Sequence, residues 1–490
     1  MHPLLILALG IFSIIFMIAA LRLNAFIALI TSAILVSLLA PGEFADKITR
    51  VVAAFGATAG NIGVVIALAV VIGKCMMDSG AADRIVRAFL GLLGEKRCSW
   101  ALLCSGYVLA IPVFFDTVFY LLVPLARSMH RRTGRNYLKY TLAIAAGGVV
   151  THSIVPPTPG PLVMAEQLGI DLGMMILVGV LVAVGPAVIG MAFATWLDRR
   201  LTIEMRPLAG GMQEPDPLPD DQLPGLLPSA LPIALPVVLV SLNTAISAAA
   251  KTAPADSFLK GIAPLIAVLG NVNLAMLFAT AIAMWLLKTQ RGLTRAQMAQ
   301  VADTSLMSGG IIILITAAGG AFGAMLKAAE IGPAIEQLFQ GDAGRQTSGI
   351  MFLVMGTVIS ILMKVAQGSS TVAMITASAM IAAMLPAPDA LGYPVALLAT
   401  AIGGGAMIGS WMNDSGFWVF VKMTGMTEAE GLKTWLPLVA VVGLSTSVIS
   451  LILAVSWQAP VPLRVGFWVA LVVLLGLAVF LPGRLSLKRP

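Results

Sequence analysis

Charge is scarce in this sequence. Of its 490 residues 11% are charged while 59% are hydrophobic, and the apolar runs are too many and too long for a soluble core, so the chain reads as a polytopic helical membrane protein. Also missing is any polar stretch large enough for a water-soluble domain. The longest one, from Asp198 to about Pro228, is rich in Pro, Asp and Glu and reads as a linker. No GxxxxGK[ST] phosphate loop occurs, which argues against coupling to ATP hydrolysis within this chain. The three cysteines, Cys75, Cys98 and Cys104, show no metal spacing and need no disulfide, so they are read as packing residues. Three scattered histidines with no HExxH or Cys-His cluster supply no metal or nucleophile set, so neither an enzyme nor a cofactor is expected. The start Met1-His2-Pro3 lacks a basic segment and no small-residue cleavage site follows, so the first apolar run is expected to stay as a helix.

What is present is a set of apolar segments at about 3–20, 23–41, 57–77, 99–127, 138–160, 172–197, 229–250, 261–287, 306–326, 349–384, 394–420, 434–456 and 465–482, each read as membrane helix or hairpin. The expected division is a first repeat over 1–197, a cytoplasmic linker over 198–228, a second repeat over 229–456, and an additional helix and tail over 457–490. Segments 99–127 and 349–384 are too long for one span and have polar or Pro-containing middles. Both are read as re-entrant helical hairpins, tolerated only where the tip is buried or lines a cavity. Gly73 matches Gly323 at an offset of 250, and Gly147, Gly148, Gly160 and Gly169 meet Gly403, Gly404, Gly416 and Gly425 at an offset of 256. A duplicated unit follows from that register. With each hairpin counted as non-crossing, each half crosses five times, and an odd number inverts the second half. The net charge of +7 fits this topology. With Arg84, Arg87 and the cluster Arg127, Arg131, Arg132, Arg135, Lys139 in the cytoplasm, 21 basic residues lie inside and six outside, as the positive-inside rule requires. The N-terminus is then outside and the C-terminus cytoplasmic.

Four interruptions carry the chemistry. In His152-Ser-Ile-Val-Pro-Pro-Thr-Pro-Gly160 four prolines, counting Pro161, make an unbroken helix impossible. Asn413-Asp414-Ser415-Gly416 breaks a second apolar run, bracketed by Trp411, Phe417 and Trp418. An intramembrane carboxylate costs about 2.5–3.5 kcal/mol on insertion scales and is a functional hypothesis by default, and paired broken helices point to a transporter's binding site. The plain alternative for each break is a loop at the membrane surface. The hairpin tips are the other pair: Ile111-Pro112-Val-Phe-Phe-Asp116-Thr117 sets a carboxylate among aromatics, and Lys364-Val-Ala-Gln367-Gly368-Ser369-Ser370-Thr371 offers a cation, an amide and three hydroxyls. Those groups suit a hydroxylated or carboxylated solute, or else back-bond to helix carbonyls. Lys364 is open to three roles: attracting a substrate carboxylate, pairing with a protein carboxylate, or snorkelling. Asp116, His152 and Asp414 are candidates for proton or cation coupling, with a permanent structural pair or a satisfied structural His as the alternative. Lys74 and Asp78 form a helical pair read as structural.

These stretches resemble the gluconate permease (GntP) family of the ion transporter superfamily, over nearly the whole chain. The resemblance is carried by Ile72-Gly73-Lys74 through Asp78-Ser79-Gly80-Ala81-Ala82, Ile111-Pro112-Val113-Phe114-Phe115-Asp116, Thr151-His152 with Pro156-Pro157 and Pro159-Gly160-Pro161, Val365-Ala366-Gln367-Gly368-Ser369 with Thr371-Val372-Ala373, and Asn413-Asp414-Ser415-Gly416-Phe417-Trp418. It implies a multi-pass carrier of the bacterial inner membrane that imports sugar acids such as gluconate, related aldonates or uronates by proton symport. D-serine or a hydroxy acid as substrate, Na⁺ as the coupling ion and a homodimer stay open, and a passive channel is the reading from a different class. The superfamily implies an all-α fold of two inverted repeats, each with a hairpin and a broken helix, working as an elevator. The expected substrate-binding set is Phe115, Asp116, Thr117, Thr151, His152, Ser153, Thr158, Lys364, Gln367, Gly368, Ser369, Ser370, Thr371, Asn413, Asp414 and Ser415. Lys364 and nearby helix N-termini are expected to hold the carboxylate. The sequence departs from the family pattern at Ser153, Thr158, Trp411 and the run beginning at Thr117.

Overall fold

The computed structural model describes residues 2–94, 97–206, 219–252, 254, 257–331, 334, 349–385, 391–412 and 414–457. Among these residues there is helix and no strand. The order is α1 (Pro3–Ile15), α2 (Ala25–Leu39), α3 (Asp46–Ser79), α4 (Ala81–Leu93), α5 (Cys98–Leu109), α6 (Phe115–Thr133), α7 (Tyr137–Ile154), α8 (Pro159–Gln167), α9 (Leu172–Arg200), α10 (Leu226–Thr252), α11 (Phe258–Leu269), α12 (Val272–Arg291), α13 (Arg295–Ala328), α14 (Gly349–Gln367), α15 (Ser370–Met384), α16 (Val395–Gly405), α17 (Ser415–Thr424) and α18 (Glu428–Trp457). Eight described spans, counting α7 and α8 as one, are long and apolar enough to cross a bilayer. The protein is a multi-pass membrane protein.

The two hairpins are α5–α6 and α14–α15, and the two broken helices are α7–α8 and α16–α17. Element lengths recur between halves: α3 and α13 are both 34 residues, and α9 and α18 have 29 and 30. Gly169 and Gly425, which follow α8 and α17, share a left-handed φ of +65° and +67°, a conformation that glycine adopts without steric cost.

Helix starts follow local chemistry. Asn24, Asp171 and Ser369 accept backbone N–H bonds from Phe26, Met174 and Val372 at 2.8, 2.9 and 3.3 Å. Thr294 and Gln297 form a reciprocal capping box that starts α13 at Arg295, well before the apolar segment at 306. The expected segment 261–287 is two helices. Asn271 caps α12 through Asn273 N at 3.0 Å, and Gly270 sits where a Cβ would lie 2.4 Å from Asn243 Cβ, so the chain turns there against α10. The stretch with Arg84 and Arg87 is helix α4, which buries Ala81, Ala82, Ile85 and Val86. The helix α9 runs through Asp198 to Arg200, so the linker begins later than expected. Linker residues 207–218 and the expected C-terminal helix lie outside the described residues.

Close packing relies on small residues, as it does where lipid removes the hydrophobic drive between helices. Thr58 meets Gly320, Gly63 meets Ile313 and Val70 meets Gly309, so α3 and α13 run antiparallel. Gly319 and Gly323 of α13 lie on Ile375 and Ala379 of α15. The first hairpin is seated on α7 by Gly147, where an added Cβ would fall 2.2 Å from the Leu103 carbonyl oxygen. Backbone cannot yield as a side chain can, so Gly147→Ala is expected to destabilise the protein by about 1–3 kcal/mol. Gly60→Ala, with nothing within 4 Å, is the matched control. Thermal melting of the two purified variants in one detergent checks this.

At one end of the fold Arg127, 3% exposed, ties several elements together. Its guanidinium donates to the Tyr137 hydroxyl at 3.1 Å and to the Arg206 carbonyl at 2.8 Å. Tyr137 donates to the Thr424 carbonyl at 2.6 Å, and Arg206 pairs with Glu430 through both carboxylate oxygens. The start of the linker is thereby fastened to α6, α7, α17 and α18.

Candidate functional site

The four interruptions converge. The α5–α6 turn passes through Pro112 and ends at Phe114, and the ring of Phe115 lies over Gly148 of α7, where a Cβ would be 3.0 Å away. Between α7 and α8 the Pro156–Pro157 bond is cis, and Pro159 opens α8, the position where a missing N–H costs nothing. Thr158 Oγ1 donates to the carbonyls of Val155 and His152 at 2.7 and 3.0 Å, which satisfies acceptors the break would orphan. The second hairpin turns at Gly368, whose φ of +88° explains glycine there. In the second broken helix the gap runs from Ala406 to Asp414. The two helices meet beside their breaks: a Cβ on Gly403 of α16 would lie 2.5 Å from the Ser153 carbonyl oxygen of α7. Gly160 likewise leaves room for Met374 of α15.

A cavity of about 150 Å³ lies at this junction, room for about five waters at their liquid volume. It is lined by Phe114, Phe115 and Asp116 of the first tip, by Val149, His152 and Ser153 of α7, and by Ser369, Ser370 and Thr371 of the second tip. Met407, Ser410, Asp414, Ser415 and Gly416 of the second break complete it, with Trp435 and Val439 of α18. Helices α6, α15 and α17 all begin at this wall. Their first-turn N–H groups carry the positive ends of the helix dipoles, a ready anion site.

Lys364 is 0% exposed. Its Nζ lies 2.7 Å from Asp414 Oδ2 and also donates to the Gly368 carbonyl. Of the three roles open from the sequence, the structure gives it the pair with a protein carboxylate. The expected role of its ammonium in holding a substrate carboxylate would have to act from beside Asp414, since Lys364 is not among the residues that line the cavity. Asp414 further accepts from Ser410 Oγ and, through Oδ1, from Gly416 N at 3.1 Å, and Ser410 accepts from Trp435 Nε1 at 2.8 Å. Asp414 is thus both the cap of α17 and the centre of a chain running from α18 to the second hairpin. Beside it, rings of Phe115 and Trp435, Trp435 and Phe420, Phe420 and Phe119, and Phe119 and Phe115 have centroids 5.3–5.5 Å apart, within the range of favourable aromatic pairs.

The Asp116 carboxylate stands beside Ser415, and both it and the His152 ring lie within electrostatic reach of Asp414 and Lys364. His152 packs on Phe114 at 5.8 Å, and its Nδ1 is buried without a partner among the described residues. Thr151 bonds back to the Gly147 carbonyl at 3.1 Å. Thr151, Thr158 and Thr117 are not on the cavity wall, and neither is Gly368, whose carbonyl serves Lys364. Of these four, Thr151 and Thr158 bond back to helix and turn carbonyls, the Gly368 carbonyl accepts from Lys364, and Thr117 follows the wall-lining Asp116. Gln367 is described as the last residue of α14 but not in its side chain, and Asn413 lies outside the described residues. Missed from the sequence were Phe114, Val149, Met407, Ser410, Gly416, Trp435 and Val439. Phe114 and Gly416 lie inside motifs already identified; Trp435 and Val439 sit in an unbroken helix and had no local signal.

Residues 2–456 match the family model described as GntP family permease. A Haemophilus influenzae protein described as an uncharacterized permease is 32% identical over 440 residues, 87% of each chain. The low-affinity gluconate transporter of Escherichia coli is 30% identical over 439 residues, 89% of this chain and 95% of that one. Among solved structures, the antimetabolite efflux pump MtrF of Neisseria gonorrhoeae aligns with a TM-score of 0.61 at 16% identity, covering 87% of this chain and 94% of that one. The Alcanivorax borkumensis YdaH transporter, described as having an unusual topology, aligns at 0.58 with 14% identity, covering 94% and 100%. At such identity these two speak for the fold alone.

Proposed function

The chain belongs to the GntP permease family and is a transporter, not an enzyme; on that premise we propose that it is a secondary active importer of small hydroxylated carboxylates, sugar acids such as gluconate, by proton symport. The observation that carries this reading is the single cavity at which two hairpin tips and two broken helices meet. Two inverted repeats in a bacterial inner membrane, with the N-terminus outside and the C-terminus cytoplasmic, are part of the proposal. The antiparallel run of α3 and α13, equal in length, supports inversion. Opposed repeats give opposed gates, and the transport body would move against the rest as an elevator. A homodimer is compatible with it.

In this mechanism the substrate carboxylate sits on the N-terminal turns of α6 and α15, and Ser370, Thr371 and Ser415 bond its hydroxyls. Asp116, in the first turn of α6, would repel that carboxylate while ionised. A proton on Asp116 removes the repulsion, so proton and substrate bind together, which is what symport requires. His152 and Asp414 are the other coupling candidates, Asp414 being held by its pair.

The test is uptake of radiolabelled gluconate, other aldonates, uronates, hydroxy acids and D-serine by the full chain in vesicles under an imposed pH or Na⁺ gradient. Accumulation of a hydroxylated carboxylate is expected. Equilibration without accumulation would make the protein a channel and sink the proposal. With the accumulated solute, Ser370→Ala and Thr371→Val are each expected to raise KM by about two- to tenfold, the loss of one hydrogen bond.

A further inference from the structure

Outside the cavity, the last turn of α8 carries polar groups that the proposed mechanism does not use. Glu166 Oε1 accepts from Asn61 Nδ2 of α3 at 3.0 Å, near the middle of that 34-residue helix. Its other oxygen, Oε2, is buried with no hydrogen-bond partner among the described residues. Next to it Gln167 Oε1 accepts from Ser378 Oγ of α15 at 2.6 Å, while Gln167 Nε2 is buried and unpartnered. Among the described residues, no charged side chain acts on Glu166. A carboxylate oxygen and an amide nitrogen left buried and unbonded at the end of a membrane span are costly and make the place a candidate site.

Amide oxygen and nitrogen are interchangeable in assignment. Turning Gln167 over lets Nε2 donate to Ser378 and frees Oε1 as an acceptor. The cluster then offers the Glu166 carboxylate, two amide oxygens and a hydroxyl. One negative charge among hard oxygens suits a monovalent cation or a proton; a divalent ion wants more carboxylates.

The cluster is joined mechanically to the cavity. Ser378 lies on α15, whose first turn supplies Ser370 and Thr371, and Glu166 lies on α8, which follows the break after Ile154. Between them Gly160 holds Met374 in direct contact. We propose that Glu166, with Asn61, Gln167 and Ser378, seats a second coupling cation, so that import of one monocarboxylate carries net positive charge inward. The inference rests on the reading as a coupled importer. One cation with one monoanion moves no net charge; the second makes transport voltage-driven.

The experiment uses full-length protein in vesicles with gluconate as the probe, measuring three quantities: exchange without a gradient, uptake driven by a pH or Na⁺ gradient, and stimulation by an inside-negative potassium diffusion potential. A potential of about 100 mV acting on one net charge raises the limiting accumulation ratio by up to about 50-fold. The wild type is expected to show this stimulation, and Glu166→Gln to lose it while retaining exchange and gradient-driven uptake. Removing external Na⁺ separates the two cations, since voltage stimulation then survives only if the seat takes a proton. A wild type indifferent to voltage, or Glu166→Gln stimulated as strongly as wild type, overturns the proposal. Failure of the wild type to exchange any carboxylate would instead sink the reading beneath it. Should Glu166→Gln not reach the membrane, Asn61→Ala and Ser378→Ala decide: a weakened voltage response supports the seat and an unchanged one overturns it.

Discussion

Lys364→Ala is expected to destabilise the protein by about 3–5 kcal/mol, the cost of leaving a buried charge without its partner, and to end uptake. Lys364 Nζ is enclosed, and Asp414, whose side chain is 12% exposed, would be left facing the aromatic cluster without its cation. Two carbonyl and carboxylate acceptors, at Gly368 and Asp414, lose their donor in one step. A double replacement, Lys364→Met with Asp414→Leu, separates structure from transport. Apolar groups of similar volume recover much of such a loss elsewhere, so melting should return toward wild type while uptake stays absent, because the cap of α17 and the Ser410 contact are gone. Thermal melting with parallel uptake reads both. Lys364→Ala with an unchanged melting temperature and full uptake would remove the ion pair from any account of the site.

Asp116→Asn should uncouple the carrier. The amide keeps the size of the side chain and carries no titratable proton, so gradient-driven accumulation is expected to fall at least about tenfold while exchange of preloaded substrate persists. The pH dependence gives the sign. Under the proposed symport, substrate binds with the proton in the wild type, so KM should rise as external pH rises. In Asp116→Asn that titrating charge is absent at every pH, and KM should be flat. If the variant accumulates substrate like wild type, the coupling proton sits elsewhere, with Asp414→Asn and His152→Ala as the next variants.

The places where the chain leaves helical geometry were legible because proline and glycine act locally. Pro156, Pro157 and Pro159 break α7 from α8 whatever surrounds them, and Gly368 followed by Ser369 writes a turn and a cap in sequence. Break-to-break contact was not legible, since it depends on glycines such as Gly403 and Gly160 meeting groups hundreds of residues away. Lys364 shows the limit well: its type and setting were visible, but three roles fitted until Asp414 was placed beside it. Trp435 and Ser410 join the site only by tertiary packing. Other misses had readable signals. Asn271 after Gly270 is a stop and a start, and Ala81-Ala82, Ile85-Val86 and Phe89-Leu90 recur at helical spacing.

At about 1.5 Å per residue, α3 and α13 are each roughly 50 Å long, against a hydrocarbon layer of about 30 Å. Locked side by side by Thr58 on Gly320 and Val70 on Gly309, they cannot shorten separately. The surplus must lean or protrude, and each option has a different energy in thin and thick lipid. Acyl-chain length therefore becomes a setting on this protein's slant in the bilayer.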